Sequence, residues 1–116
     1  MIKTAGELIS EAQQKVSCID PSSAKSIYEK SNNPIILDVR EADSFESSQI
    51  SGSINIPRGL LEFQIIQHCE NSETLILTHC AAGPRAFLAA LTLHNMGYTN
   101  VHAISASFEE IKDTFG

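Results

Sequence analysis

Apolar positions follow two rhythms that alternate from Val16 to the end of the chain. Short, mostly continuous apolar runs occur at Ser17 to Ile19, Ile35 to Val39, Ile54 to Ile56, Thr74 to Thr78 and Val101 to Ile104. Runs of this kind predict strands covered on both faces, as in a parallel sheet. Between them, helical spacing covers Pro21 to Lys30, Asp43 to Ser48, Leu60 to Cys69, Pro84 to Met96 and Ser107 to Thr114. The alternation predicts an α/β layered fold, a mainly parallel sheet with helices on its faces.

The run from Pro84 to Met96 carries Phe87, Leu88, Ala90, Leu91, Leu93 and Met96 around most of its circumference, which predicts a largely buried helix. Pro84 suits its first turn and Gly97 its C-terminal cap. Ahead of the first strand, Thr4 and Glu7 have capping-box spacing, and Leu8, Ile9, Ala12 and Val16 share one stripe. That pattern predicts an additional N-terminal helix docked on the domain or on a second copy of it. The expected organisation is one domain over residues 1–116, with residues 1–16 as a helical extension.

Charge and cysteine usage narrow the partners. Net charge is −6 over 116 residues and the basic residues do not cluster. Nucleic acid and anionic membrane need basic patches and are therefore not expected. Cys18, Cys69 and Cys80 are odd in number and lack Cys-x-x-Cys spacing, which fits free thiols in a reducing compartment. No run has signal-peptide or membrane-spanning character, and the expectation is a soluble cytoplasmic protein. His68, His94 and His102 have no ligand spacing, so neither a metal nor a cofactor is expected.

Cys80 carries the chemistry. It ends an apolar run and is followed by Ala81-Ala82-Gly83-Pro84-Arg85 and a helix. Loop amides and a helix N-terminus at such a junction form an anion site, and Arg85 adds a positive charge. These features favour the thiolate, the nucleophilic form of cysteine. Arg58, just past Pro57 at a strand end, is a candidate second cation, or else a surface residue. Asp38 and Arg40 read as structural. His79 should point to the opposite side from Cys80, toward solvent or packing. Cys18 and Cys69 read as quiet apolar residues.

Four stretches, in order, resemble the rhodanese family of sulfurtransferases: Leu37-Asp38-Val39-Arg40-Glu41, Ile50 to Arg58, the loop Cys80 to Arg85, and Met96 to Val101. The resemblance implies a five-stranded sheet between helices. It also implies a double displacement through a Cys80 persulfide, from a small anionic donor such as thiosulfate to cyanide, a thiol or a protein acceptor. Cys80 would be the nucleophile. Arg85 and the amides of Ala81, Ala82 and Gly83 would bind the donor and the persulfide. Gln49 stands where the family often has histidine, Ala106-Ser107 where it usually has two glycines, and Ile111 where tryptophan is common. The lost glycine pair marks the turn into the last helix as the place where local geometry should depart from the family's.

Two other functions are open to this pattern. Cysteine-dependent phosphatases and arsenate reductases also use cysteine and arginine around an anion loop, but with five residues between them; here there are four. A binding module on the same fold, without catalysis, is the other.

Overall fold

The computed structural model describes all 116 residues. Helix α1 (Ala5–Lys15) leads into strand β1 (Ser17–Ile19), and five further helices alternate with four strands. These are α2 (Pro21–Lys30), β2 (Ile35–Asp38), α3 (Ala42–Ser47), β3 (Ile54–Asn55), α4 (Leu61–His68), β4 (Ile76–His79), α5 (Pro84–Met96), β5 (Val101–Ile104) and α6 (Phe108–Phe115). A single 3₁₀ turn, Arg58–Leu60, precedes α4. The five strands form one sheet in the order β1-β5-β4-β2-β3, every neighbouring pair parallel. An α/β fold was expected, and the sheet is wholly rather than mainly parallel.

Because all strands run the same way, their C-terminal ends share one rim, and β4, the middle strand, delivers Cys80 to it. Alternation of side chains across each strand divides the core in two. On one face Leu37, Val39, Ile76 and Cys80 meet Leu61 and Ile65 of α4 and Ala86, Ala90 and Leu93 of α5. On the other, Ile36, Leu77 and Ile104 meet Ala24 of α2 and Ile111 of α6. Each of the large aliphatic side chains buried here contributes about 1.5–3 kcal/mol through removal from water.

Caps end the helices where the sequence places them. Thr4 and Glu7 complete a reciprocal capping box on α1, Ser107 and Glu110 do the same on α6, and Asp20 accepts from Ser23 N–H at the start of α2. Each such cap contributes about 1 kcal/mol. Gly97 closes α5 with φ of 108°, a conformation that favours glycine.

Some boundaries moved. β4 begins at Ile76 rather than Thr74, because Asn71 to Thr74 form a turn closed by Thr74 N–H to Asn71 O. The strand instead runs on to His79, whose carbonyl accepts from Val39 N–H. Met96, expected among the buried positions of α5, is 44% exposed at the helix end. Cys18 is exposed on the edge strand rather than buried as a quiet apolar residue. The α1 stripe docks within the same chain. Ala12 is fully buried, and Ile9 and Val16 pack on the core that α5 covers. Leu8 is 46% exposed, one position beyond the edge of that contact.

The docking of α1 has a direct consequence for stability. Ile9→Ala should lower it by about 1–2 kcal/mol, a fall of several degrees in melting temperature, while Leu8→Ala should stay within about 0.5 kcal/mol. Thermal unfolding of the two variants beside the parent checks this. Equal effects would mean that the stripe does not dock along the face described.

Candidate active site

The loop from Cys80 to Gly83 joins the end of β4 to the start of α5. Gly83 takes φ of 118°, and a Cβ there would lie 3.2 Å from Phe87 Cζ, so glycine is needed for both backbone and space. That turn brings the Gly83 N–H to 3.1 Å from Cys80 Sγ, to which it donates. Pro84 occupies the first turn of α5, where its missing N–H leaves no bond unmade. Thr78 Oγ1 donates to Ala86 O at 2.9 Å and ties the strand to the first turn of the helix.

Cys80 is 1% exposed, while Ala81 and Ala82 are exposed above it. The sulfur thus lies beneath its own loop. It faces the N-terminus of α5, where unpaired amides and the helix dipole favour negative charge. Arg85, half-buried in the first turn of α5, is the one arginine of the three that makes no hydrogen bond or ion pair within the protein. It is free to meet an anion. Cys80, Ala81, Ala82 and Gly83 thus form the loop, and Arg85 stands just after it in the first turn of α5.

Arg58 does not join them. Its Nη1 donates to Glu62 at 3.1 Å and its Nη2 to Thr92 Oγ1 at 2.7 Å, and its Nε is buried without a partner. Thr92 lies eight residues beyond Pro84, roughly 12 Å along α5. The candidate second cation is committed to the α4–α5 junction.

Behind the loop stands a buried polar cluster. Asp38 is fully buried, and its carboxylate accepts from Arg40 N, Nε and Nη2 at 2.7–3.1 Å. Arg40 Nη2 also donates to Ser48 O at 2.6 Å, and its guanidinium carbon lies 4.0 Å over the Phe108 ring. Asn55 donates to the carbonyls of both Asp38 and Arg40. Asp38 and Arg40 are structural, as expected.

His79 does face away from Cys80, and it is fully buried rather than solvated. Its Nε2 is 3.8 Å from Asp38 Oδ2, and neither ring nitrogen has a hydrogen-bond partner. Burial holds its pKa below the ordinary 6.5, partly opposed by the nearby Asp38 carboxylate.

The turn into α6 needs no glycine here. Ser107 has φ of −72° and ψ of 160°, ordinary extended backbone, and Ala106 packs against the second core. Neither Ala106 nor Ser107 has a positive φ, and the Ser107 cap starts the helix without a left-handed residue. Ile111 is fully buried among Ala24, Ile36, Leu77 and Ile104.

Asn55, Thr78 and Phe108 were not singled out from sequence. Asn55 and Thr78 were detectable as polar residues inside apolar runs, a pattern that burial makes meaningful. Phe108 carried no signal beyond following a cap.

The largest cavity, about 460 Å³, lies at the opposite rim, lined by Ser31, Asn32, Asn33, Asn71, Thr74 and Asn100 among others. Asn71 and Asn100 there bond to Glu73 main-chain atoms and stabilise turns. That cavity is turn architecture remote from Cys80.

Residues 20–114 match the family model described as "Rhodanese-like domain". A candidate sulfur carrier protein of Bacillus subtilis is 31% identical over 100 residues, covering 86% of this chain and 53% of that protein. The chain thus spans about half the length of that relative. The thiosulfate sulfurtransferase GlpE of Ectopseudomonas mendocina is 30% identical over 97 residues, covering 84% of this chain and 85% of that one. Among solved structures, a Rhodopseudomonas palustris protein of unknown function, described as a possible tyrosine phosphatase, superposes over the full length. Its TM-score is 0.83 at 25% identity, with 94% of its own chain covered.

The buried His79 makes stability depend on pH. Its folded pKa is below 6.5, so as pH falls through that value the unfolded chain takes up a proton that the folded protein refuses. Stability should therefore decline as pH drops below about 6.5, with His102, also held low by burial, contributing in the same direction. Denaturant unfolding at neutral pH and about one unit below 6.5 measures the decline, and His79→Leu should make it shallower. An unchanged slope in His79→Leu would show that the imidazole titrates normally.

Proposed function

Since the chain belongs to the rhodanese-like domain family, we propose that it is a sulfurtransferase in which Cys80 carries sulfane sulfur as a persulfide. One observation carries the reading: the Gly83 N–H at 3.1 Å from Cys80 Sγ, on a loop followed in the first turn of α5 by Arg85, which has no partner within the protein. The named activities of the relatives in Bacillus subtilis and Ectopseudomonas mendocina support sulfur transfer in general.

With thiosulfate as donor, the Cys80 thiolate attacks the outer sulfur. A Cys80 S–S bond forms as the donor's own S–S bond breaks, and sulfite leaves with the bonding pair. Cyanide or a thiolate then attacks the outer sulfur of the persulfide, forming thiocyanate or a new persulfide and releasing the Cys80 thiolate. Both steps are displacements at sulfur, and no external oxidant or reductant enters. In both steps negative charge on sulfur lies beside the loop amides and the start of α5, which stabilise it without rearrangement. Arg85 pairs with the donor's sulfonate end.

A phosphatase reading is the second candidate, favoured by the description attached to the Rhodopseudomonas palustris structure. Loop length weighs against it. Four residues separate Cys80 from Arg85, and the Sγ already receives an amide at 3.1 Å, leaving room for one sulfur atom more readily than for a phosphoryl group with three oxygens.

After incubation with thiosulfate and removal of the excess, the protein should gain the mass of one sulfur atom, mapped to Cys80. Cys18, whose thiol is pushed up by partial burial and which has no neighbouring cation or amide nest, should gain none. Full persulfide in Cys80→Ser would sink the assignment. On the same preparation, transfer from thiosulfate to cyanide should exceed Cys80-dependent hydrolysis of an aryl phosphate. The reverse order would establish the phosphatase reading instead.

Arg85→Ala should slow persulfide formation from thiosulfate by about ten- to a hundredfold, the scale of one charge-assisted hydrogen bond. A neutral persulfide donor should be much less affected. Equal losses with both donors would assign Arg85 a structural role.

A further inference from the structure

Ala81, the first residue past the nucleophile, has its carbonyl held by the Phe108 N–H at 2.9 Å. No peptide bond in the chain is cis, so the Ala81 C=O and the Ala82 N–H, which share one planar unit, point in opposite directions. Phe108 starts α6 and packs with the core of Ile36, Leu77 and Ile104, whereas Cys80 belongs to the core on the other face of the sheet. Drawing the Ala81 oxygen toward α6 therefore turns the Ala82 N–H toward the Cys80 side of the loop. The next peptide unit already delivers the Gly83 N–H to the sulfur.

We propose that Phe108, steadied by Arg40, is a positioning residue that aims the Ala82 N–H at the outer sulfur of a Cys80 persulfide. The persulfide anion then meets successive amides from Ala82 and Gly83 instead of one. Phe108 is fixed from two sides. The Arg40 guanidinium lies 4.0 Å over its ring and is itself immobilised by Asp38 and Ser48. The Ser107–Glu110 capping box fixes the first turn of α6. A planar cation stacked on an aromatic ring resists sliding, so the bond to Ala81 is held at a set position. The role assigned to the outer sulfur rests on the sulfur-transfer reading, but the orientation of the amide can be read on the Cys80 thiolate alone.

Position 108 allows the backbone donor to be removed by itself. It is the first residue of α6, where proline is tolerated, and Ser107 already has the extended backbone that a residue before proline prefers. Phe108→Leu deletes the stacked ring and keeps the N–H; Phe108→Pro deletes both; Phe108→Tyr keeps both. The measurement is alkylation of Cys80 by iodoacetamide across pH, followed by peptide mass, beside the rate of persulfide formation from thiosulfate. Phe108→Tyr should match the parent, and Phe108→Leu should fall by about twofold. Phe108→Pro should react about tenfold slower than Phe108→Leu at neutral pH, the scale of a lost hydrogen bond to an anion, with its pH profile moved to higher pH. Identical rates and profiles for the proline and leucine variants would overturn the proposal.

A second measurement needs no variant at position 108. The amide proton resonances of Ala82 and Gly83 should both move as Cys80 ionises in the parent, and neither should move in Cys80→Ser. An Ala82 resonance that stays fixed would also overturn the proposal. If the proline and leucine variants differ in alkylation while the parent forms no persulfide, the sulfur-transfer reading fails and the positioning role stands.

Discussion

The buried pair of Asp38 and Arg40 is the constraint on which the rest of the Cys80 rim depends. It sits at the end of β2, next to the strand that carries Cys80, and reaches four other parts of the chain. Through Ser48 it fixes the end of the α3 segment, through Asn55 the end of β3, through Phe108 the start of α6, and beside it lies His79. Removing one partner of such a pair strands a buried charge, at about 3–5 kcal/mol, whereas replacing both with apolar groups can be neutral. Its value here is therefore geometric more than energetic. It fixes in position the ends of segments that would otherwise terminate as independent loops.

That arrangement puts the support and the sulfur on different faces of the sheet. The face toward α2 and α6 carries the charged scaffold, with both ionic partners satisfied. The face toward α4 and α5 carries the sulfur, the amide that meets it and an unpaired arginine. Alternation along β2 places the buried Asp38 carboxylate on the opposite face of the sheet from Cys80. Overall net charge is −6, and the local positive site works against that wider field.

Fold class and the strand-to-helix loop that carries Cys80 were legible in the sequence because both rest on local patterns. The apolar run ending at Cys80 fixed a strand end, and Gly83, Pro84 and Gly97 marked a helix by its ends. The partners of the scaffold were not legible. Asn55 contacts Asp38 and Arg40 across 17 and 15 residues, and Phe108 meets Arg40 from the last helix, contacts set by topology and register. Arg58 shows the converse. Its place after a strand end was read correctly, yet its side chain reaches Thr92, because a long flexible arginine goes where a hydroxyl and a carboxylate are both available. The Ala106-Ser107 pair takes ordinary backbone angles because a side-chain cap starts the helix without a left-handed residue.

The two outermost strands are the shortest, three residues in β1 and two in β3, while the central three have four each. A strand so brief offers an incoming chain almost no row of free amides and carbonyls to zip against. The apolar interior strands are thus shielded laterally as well as from above and below, and the sheet is poorly suited to growing by strand exchange. Such a unit can stand beside other folded segments without its strands being drawn into a neighbour's sheet.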